Sequence, residues 1–443
     1  MSDAWPASML VMLLAAAALR LWLSLRQERH VRRHRDAVPP AFAARISLAA
    51  HQQAADYSIA RTRFTRIALA VELLLLLGLT YGGGLDTLHE HWSAHADGIA
   101  YGMGLIASIA LLASLVDLPL DAYRQFRLEA RFGFSRMTFA LYLSDCLKQA
   151  LLAAALGLPL IAAALWLMQA TGAYWWLYVG LLWIGFNLVV MFIYPLWIAP
   201  LFNRFTPLPE GEPKRHIRSL LERCGFDAGE IFVMDGSRRS SHGNAYFTGL
   251  GKARRIVLFD TLLERLAPAQ IEAVLAHEIG HFQHRHIAQR MAWALGASLL
   301  LLALLGQLLE APGFYHSFGV THVNTAIGLS LFALVLPMLA FPCAPLFSAL
   351  ARRQEFEADA YAARMTSASA LATALVQLYA DNASTLTPDP LHSLFHDSHP
   401  PASQRIARLQ TLACQPHAQA QGMTPEAQDE RHLPPFSEPR RIA

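Results

Sequence analysis

The sequence predicts a mainly α-helical polytopic membrane protein in which seven spans carry a split polar domain on one side. Three observations predict it. The 443 residues are 54% hydrophobic and only 16% charged, with a mean hydropathy of +0.30, too apolar for an ordinary soluble chain. Seven runs approach the roughly 20 apolar residues that a bilayer crossing requires: about 7–25, 66–84, 100–120, 148–169, 173–199, 291–309 and 326–350. Arginine and lysine gather on alternate connections only.

Each run should be helical, because backbone groups in lipid must satisfy one another within the segment. The first run follows MSDAWP, which has no basic stretch, and precedes RQERHVRRHR. That order predicts a retained helix with its N-terminus outside rather than a cleaved leader. Connections 85–100, 171–174 and 311–325 contain no Lys or Arg. The others hold Arg26 to Arg66, then Arg124, Arg127, Arg131 and Arg136, then two polar blocks at 201–290 and 351–443. The positive-inside rule therefore predicts that both blocks face the cytoplasm, and a bacterial inner membrane suits the Ala- and Leu-rich composition.

A net charge of +3 is explained by this basic face against anionic headgroups. No basic patch with interleaved aromatics points to nucleic acid. Cys146, Cys224, Cys343 and Cys414 form no CxxC pair and read as reduced thiols. The expected division is 1–200, five spans with their loops; 201–290, a first polar part; 291–350, two spans; 351–414, a second polar part; and 415–443, a mobile tail rich in Pro and Gln. The first polar part contains β-type runs (EIFVMD, NAYFTGL, RRIVLF) and predicts a small sheet.

The chemistry lies in AVLAHEIGHFQHRH, residues 273–286. On a helix His277 and His281 fall on one face one turn apart, so both imidazoles can reach one ion, with Glu278 beside it to take a proton from water. Zinc held by two His and a carboxylate keeps one position open for that water and lowers its pKa to about 7. Chance would give such a motif about three times in a hundred chains of this composition. His284 falls off the ligand face; His286 reads as a residue behind the ligands or facing headgroups.

A third ligand is expected from RRQEFEADAYAARM, 352–365. Glu355 and Asp359 share a helix face, whereas Glu357 points roughly 200° away from Glu355. That spacing allows Glu355 to bind metal while Asp359 accepts a hydrogen bond from a ligand imidazole; a solvated charged helix is the bland alternative. His281 lies about ten residues before the sixth span and Glu355 about five after the seventh, which puts both within roughly 8 to 15 Å of the apolar boundary. The substrate should then be a peptide or protein presented by the bilayer. SSHGNAYFTGL (240–250) could serve as an edge strand that holds an extended peptide, with Asn244 as an anchor. HDSHPPASQRIARL (396–409) places His399 and Arg405 as donors to the oxyanion of hydrolysis. A turn and a capped surface helix are the plain readings of these two stretches.

Taken together, these motifs make the chain similar to the type I CAAX prenyl protease family, integral-membrane zinc metalloproteases of seven helices, and more distantly to the heat-shock protein X membrane proteases. The similarity runs from AAHQQAADYSIARTRF through RFGFSRMTF, YPLWIAPLFNRFTPLPEG, SSHGNAYFTGLGKARRIVLFDTLL, HEIGHFQHRH and EFEADAYA to SHPPASQRI. It implies a split cytoplasmic zincin-like metalloprotease domain. In it His277, His281 and Glu355 hold one Zn2+, Glu278 is general base and acid, and Asp359 orients a ligand. Asn244 contacts the substrate strand, and His399 and Arg405 stabilise the transition state. It also implies a large intramembrane chamber, with which Pro337, Pro342 and Pro345 are compatible; Arg20 and Glu72 within apolar runs should face a wet interior. Phe282, Ala402 and Gln404 depart from the family pattern and bear on substrate preference.

Two further readings compete. A protease that clears damaged membrane proteins would use the same chemistry without prenyl dependence. A seven-helix transporter with a structural metal site would gain nothing from Glu278 beside an open position. The oligomeric state leaves no mark in the sequence.

Overall fold

The computed structural model describes residues 4–226, 229–248 and 255–414; the expected mobile tail lies outside them. The first half is helical: α1 Ala4–Arg33, α2 Leu48–Leu79, α3 Gly84–Ser93, α4 Gly98–Tyr123, α5 Phe139–Ala170, α6 Trp175–Ile193 and the short α7 Ala199–Phe202. Side-chain oxygens start two of these helices, Ser47 accepting from the Ala50 N–H and Thr138 from the Leu141 N–H, as N-caps do. Among the described residues six helices are long and apolar enough to cross a membrane, and a seventh span arises if α2 and α3, bent by 52°, count as one. The seven expected runs all fall on these helices.

The spans do not pack as a solid bundle. Around the ring α4, α5, α6, α11 (His286–Leu309) and α13 (Thr325–Ala340), each helix touches the next, and α13 closes on α4. Their apolar core is concentrated at one end, where Leu76, Leu85, Leu105, Tyr315, Ile327 and Leu331 are buried together. Gly102 permits the close approach there: a Cβ would lie 2.8 Å from Leu165 and 3.3 Å from Ala326. Only 6% of the apolar stretch of α5, and of α6, is buried, so these two form a single-layer wall.

The polar blocks form one body at the other end. A four-stranded sheet of order β1 (Phe205–Pro207), β2 (Ile231–Met234), β4 (Arg255–Phe259), β3 (Ala245–Thr248) is antiparallel except for β2 beside β4. β4 is central and apolar, with Ile256, Val257 and Leu258 buried; β3 is an edge strand. Helix α8 (Glu212–Arg223), α9 (Asp260–Arg265) and α10 (Pro268–Gln283) precede the membrane hairpin of α11, α12 (Pro312–His316) and α13; α14 (Ala344–Met365), α15 (Ala368–Asp381), α16 (Pro390–His396) and α17 (Ala402–Cys414) follow it. Leu220, Ile256, Leu258, Ile271, Leu275 and Leu371 interlock the sheet with both sets of helices, each such burial worth about 1.5–3 kcal/mol. Thus the two halves of the split domain share one core.

Two features tie this body to the spans. The guanidinium of Arg239 reaches Asp145 of α5 at 2.8 and 3.1 Å and Asn203 at 2.9 Å. Helices α13 and α14 together form a nearly continuous rod from Thr325 to Met365 of 41 residues, roughly 60 Å at 1.5 Å per residue. A bilayer core needs about half of that, so the far end of α14 projects clear of it. The four cysteines are free thiols, as expected.

Candidate active site at the foot of a membrane hairpin

Helix α10 starts with Pro268, whose missing N–H is not needed at that position, and the Gln270 side chain accepts from the Ala267 N–H at 2.9 Å. One face, Ile271, Leu275, Ala276 and Ile279, enters the core. His277 and His281 fall on the border of that face and look toward α14. There the structure places Glu355. The Nε2 atoms of the two imidazoles are 3.3 Å apart, and each lies 3.3 to 3.4 Å from a Glu355 oxygen. Ligand atoms of these three residues lie within 4.8 Å of one another. Glu355 is 1% exposed, so a carboxylate and two ring nitrogens meet in a nearly dry site. This donor set is the one zinc prefers in hydrolases, and a cation at its centre would compensate the buried carboxylate.

Behind each imidazole stands an orienting partner. Asp359, one turn beyond Glu355, lies 2.9 Å from Nδ1 of His277, and Arg405 clamps Asp359 through two bonds of 2.9 and 2.6 Å. Burial pushes the His277 pKa down, but Asp359 and Glu355 outweigh it and hold the group up, at about 9. Nδ1 of His281 faces His286 at 2.9 Å, whose other nitrogen reaches Glu357 at 3.0 Å; Arg353 donates to the same carboxylate. His286 returns toward α10 because Arg285 adopts φ 54° at the break between α10 and α11. His286 therefore stands behind a ligand, and Glu357, which points away from Glu355, is the end of that second chain. Spacing on α14 alone had left Glu357 without a partner.

A cleft opens over the group, lined by Asn244, His277, Glu278, Tyr379, His399 and Arg405 among others. Glu278 is half-buried there. Asn244 is exposed at the head of β3; its side chain accepts from the Ala245 N–H at 2.9 Å, and its carbonyl pairs with the Phe259 N–H. The outer edge of β3 makes no strand pair among the described residues. His399 is exposed, with Nδ1 2.7 Å from Glu355; Arg352 steadies its loop by donating to the carbonyl of Asp397 at 3.0 Å. Arg405 is 5% exposed and reaches the cleft from behind Asp359. All eight expected residues therefore converge. Tyr379 was not foreseen: a tyrosine on the amphipathic α15 reads as core, yet its ring lines the cleft, with burial pushing its phenol up.

Comparison with known proteins decides the family. Residues 27–204 match the family described as CAAX prenyl protease N-terminal, five membrane helices, and residues 207–413 match Peptidase family M48. The chain belongs to peptidase family M48. This metalloprotease is an integral, multi-pass membrane protein of the CAAX prenyl protease type, a hydrolase with a catalytic metal. It is 40% identical to CAAX prenyl protease 1 of Saccharomyces cerevisiae over 69% of this chain and 71% of that protein. To the homologue from Oryza sativa subsp. japonica it is 33% identical over 88% and 93%, and to the Homo sapiens homologue 32% over 68% and 72%. The crystal structure of S. mikatae Ste24p superposes with a TM-score of 0.86 at 32% identity, covering 91% of this metalloprotease and 99% of that chain.

Proposed function

We propose that the protein is a zinc endopeptidase that cuts prenylated CAAX proteins near their C-terminus, at the cytoplasmic face of a bacterial inner membrane. The observation that carries the reading is the convergence of His277, His281 and Glu355 beside Glu278 in a cleft at the foot of the membrane hairpin. One Zn2+ per chain would be held by those three side chains. When bound it supplies an acidified water and a polarised scissile carbonyl.

The residues do the rest. The free edge of β3 and Asn244 hold the substrate backbone in extended form. Glu278 takes the proton of the attacking water and returns it to the leaving amine. His399 presents its second nitrogen to the developing oxyanion while Nδ1 stays on Glu355, and Arg405 adds positive charge from behind. Asp359 and His286 keep the ligand imidazoles aimed.

Purified protein should carry about one zinc per chain and cleave a farnesylated CAAX peptide. Glu278→Gln should keep the metal and lose activity by about 10²- to 10⁴-fold; undiminished cleavage by that variant would remove the mechanism. Equal rates on prenylated and unprenylated peptides would replace lipid processing by general proteolysis.

A further inference from the structure

A second, larger cavity of about 570 Å³ adjoins the cleft, and none of the roles above uses it. Tyr379, Asn382, Ser384 and His399 line both, so the two are one hollow. It runs from the cleft beside His277, between α1 and α2, to Phe341 and α16.

Its walls are unlike the lipid-facing sides of the same helices. From α1 it receives Arg20, Ser24 and Gln27, at spacings of four and three; from α2, Ser58, Arg61, Thr62, Thr65 and Arg66, again one helical face. In this larger part of the hollow three arginines face a single lining carboxylate, Asp397, while the cleft part adds Arg405 and Glu278. Two of the three are ion-paired with carboxylates outside the lining. Arg20 meets Glu72 at 3.1 Å and Arg66 meets Glu28 at 2.5 Å, though Glu28 also serves Arg32 and Arg63. Arg61 is exposed and forms no salt bridge among the described residues; its partner is Tyr57, whose ring centre lies 5.5 Å from the guanidinium and whose hydroxyl donates to Glu129. Burial pushes the lining His392 down to about 4 and lowers His396 as well.

A hollow lined by arginine attracts anions, and a guanidinium that has no carboxylate partner matches one with two parallel bonds. A C-a-a-X protein ends in a main-chain carboxylate three residues past its prenylated cysteine, about 10 Å of extended chain. We propose that this hollow is a subsite for the free α-carboxylate of the substrate's C-terminus, with Arg61 its direct partner. The assignment rests on the reading of the protein as a C-terminal processing peptidase. It makes the enzyme a reader of chain ends, measuring from the carboxylate to the cut.

The test uses the full-length protein in nonionic micelles with four peptides of one sequence, farnesylated or not, each as free acid and as C-terminal amide. The free acid should be cut with a kcat/KM at least about 10-fold above the amide, the worth of a charged hydrogen-bond pair. In Arg61→Gln the ratio should fall toward one, and Arg61→Lys should restore part of it. Equal rates for acid and amide in the wild-type protein, or an undiminished ratio in Arg61→Gln, would overturn the subsite. So would stimulation by added phosphatidylglycerol that vanishes in Arg61→Gln without any acid preference, since the hollow would then hold a lipid phosphate. The farnesyl arm is separate: acid preference without prenyl preference keeps the subsite and removes the prenyl reading, and the reverse does the opposite.

Discussion

Gly280 sits between the two ligand histidines, where α10 crosses α14, and its replacement by alanine probes how tightly the metal group is assembled. A Cβ there would stand 3.0 Å from Cα of Ala358, 3.1 Å from Cβ of Tyr361 and 3.2 Å from the Ala358 carbonyl oxygen, against 3.4 Å or more in ordinary contact. Two of these three atoms are backbone, so rotamer changes cannot clear them. The helix that must retreat, by a few tenths of an ångström, is the one that carries Glu355 and Asp359. Ligand distances in metal sites hold to about ±0.2 Å, and a 1 Å misplacement in an active site costs about 100-fold. Gly280→Ala should therefore lower kcat/KM by about 10- to 100-fold and speed zinc loss to a chelator. Overpacking would cost about 1–3 kcal/mol of stability, partly offset by the roughly 1 kcal/mol by which alanine favours helix over glycine. The assay is peptide cleavage alongside zinc release timed with a chromogenic chelator. Wild-type rates in both would refute the claim that this contact sets the ligand geometry.

Prolonged dialysis against a strong chelator should abolish cleavage, with near-stoichiometric Zn2+ restoring it and Mg2+ failing, because two imidazoles and a carboxylate select zinc over hard cations; magnesium rescue would contradict the donor set. Glu357→Gln and His286→Ala should each weaken zinc affinity by about 10- to 100-fold, read in competition with an indicator; unchanged affinity would make His286 a packing residue only. Asp145→Ala strands Arg239 in a mostly buried position and should cost about 3–5 kcal/mol. Limited proteolysis should then cut near residues 235–240 well before the wild-type protein, and an unaltered digestion pattern would dismiss the pair as an anchor.

Much of the architecture is legible in the sequence. The seven apolar runs and the fourfold spacings within HEIGH and within EFEAD required only helical periodicity and the cost of burying charge, and those features carried the ring of spans and the metal group. What escaped was tertiary in origin. The edge at β3 was legible, whereas β1 was not, since three residues ending in a proline carry no alternation. The partnership of His286 with Glu357 depends on the left-handed turn at Arg285, an arginine where glycine would be usual, so no local pattern announced it. Arg20 and Glu72 were visible as ionisable residues in apolar runs, but only the fold shows that they meet each other. The polar face of α2 was hidden because the span begins, by hydropathy, near Arg66, while the helix itself starts at Leu48 and exposes its hydrophilic side to the hollow.

The ligands ride on α10 and α14, and the chain between them crosses the bilayer twice. A ribosome that has released α10 has made two imidazoles without their carboxylate, and these cannot meet Glu355 until α11 and α13 are threaded and turned back. Catalytic power thus appears only in molecules already delivered to their address. A copy still outside a bilayer keeps its two imidazoles apart from their carboxylate, so insertion itself switches the chemistry on.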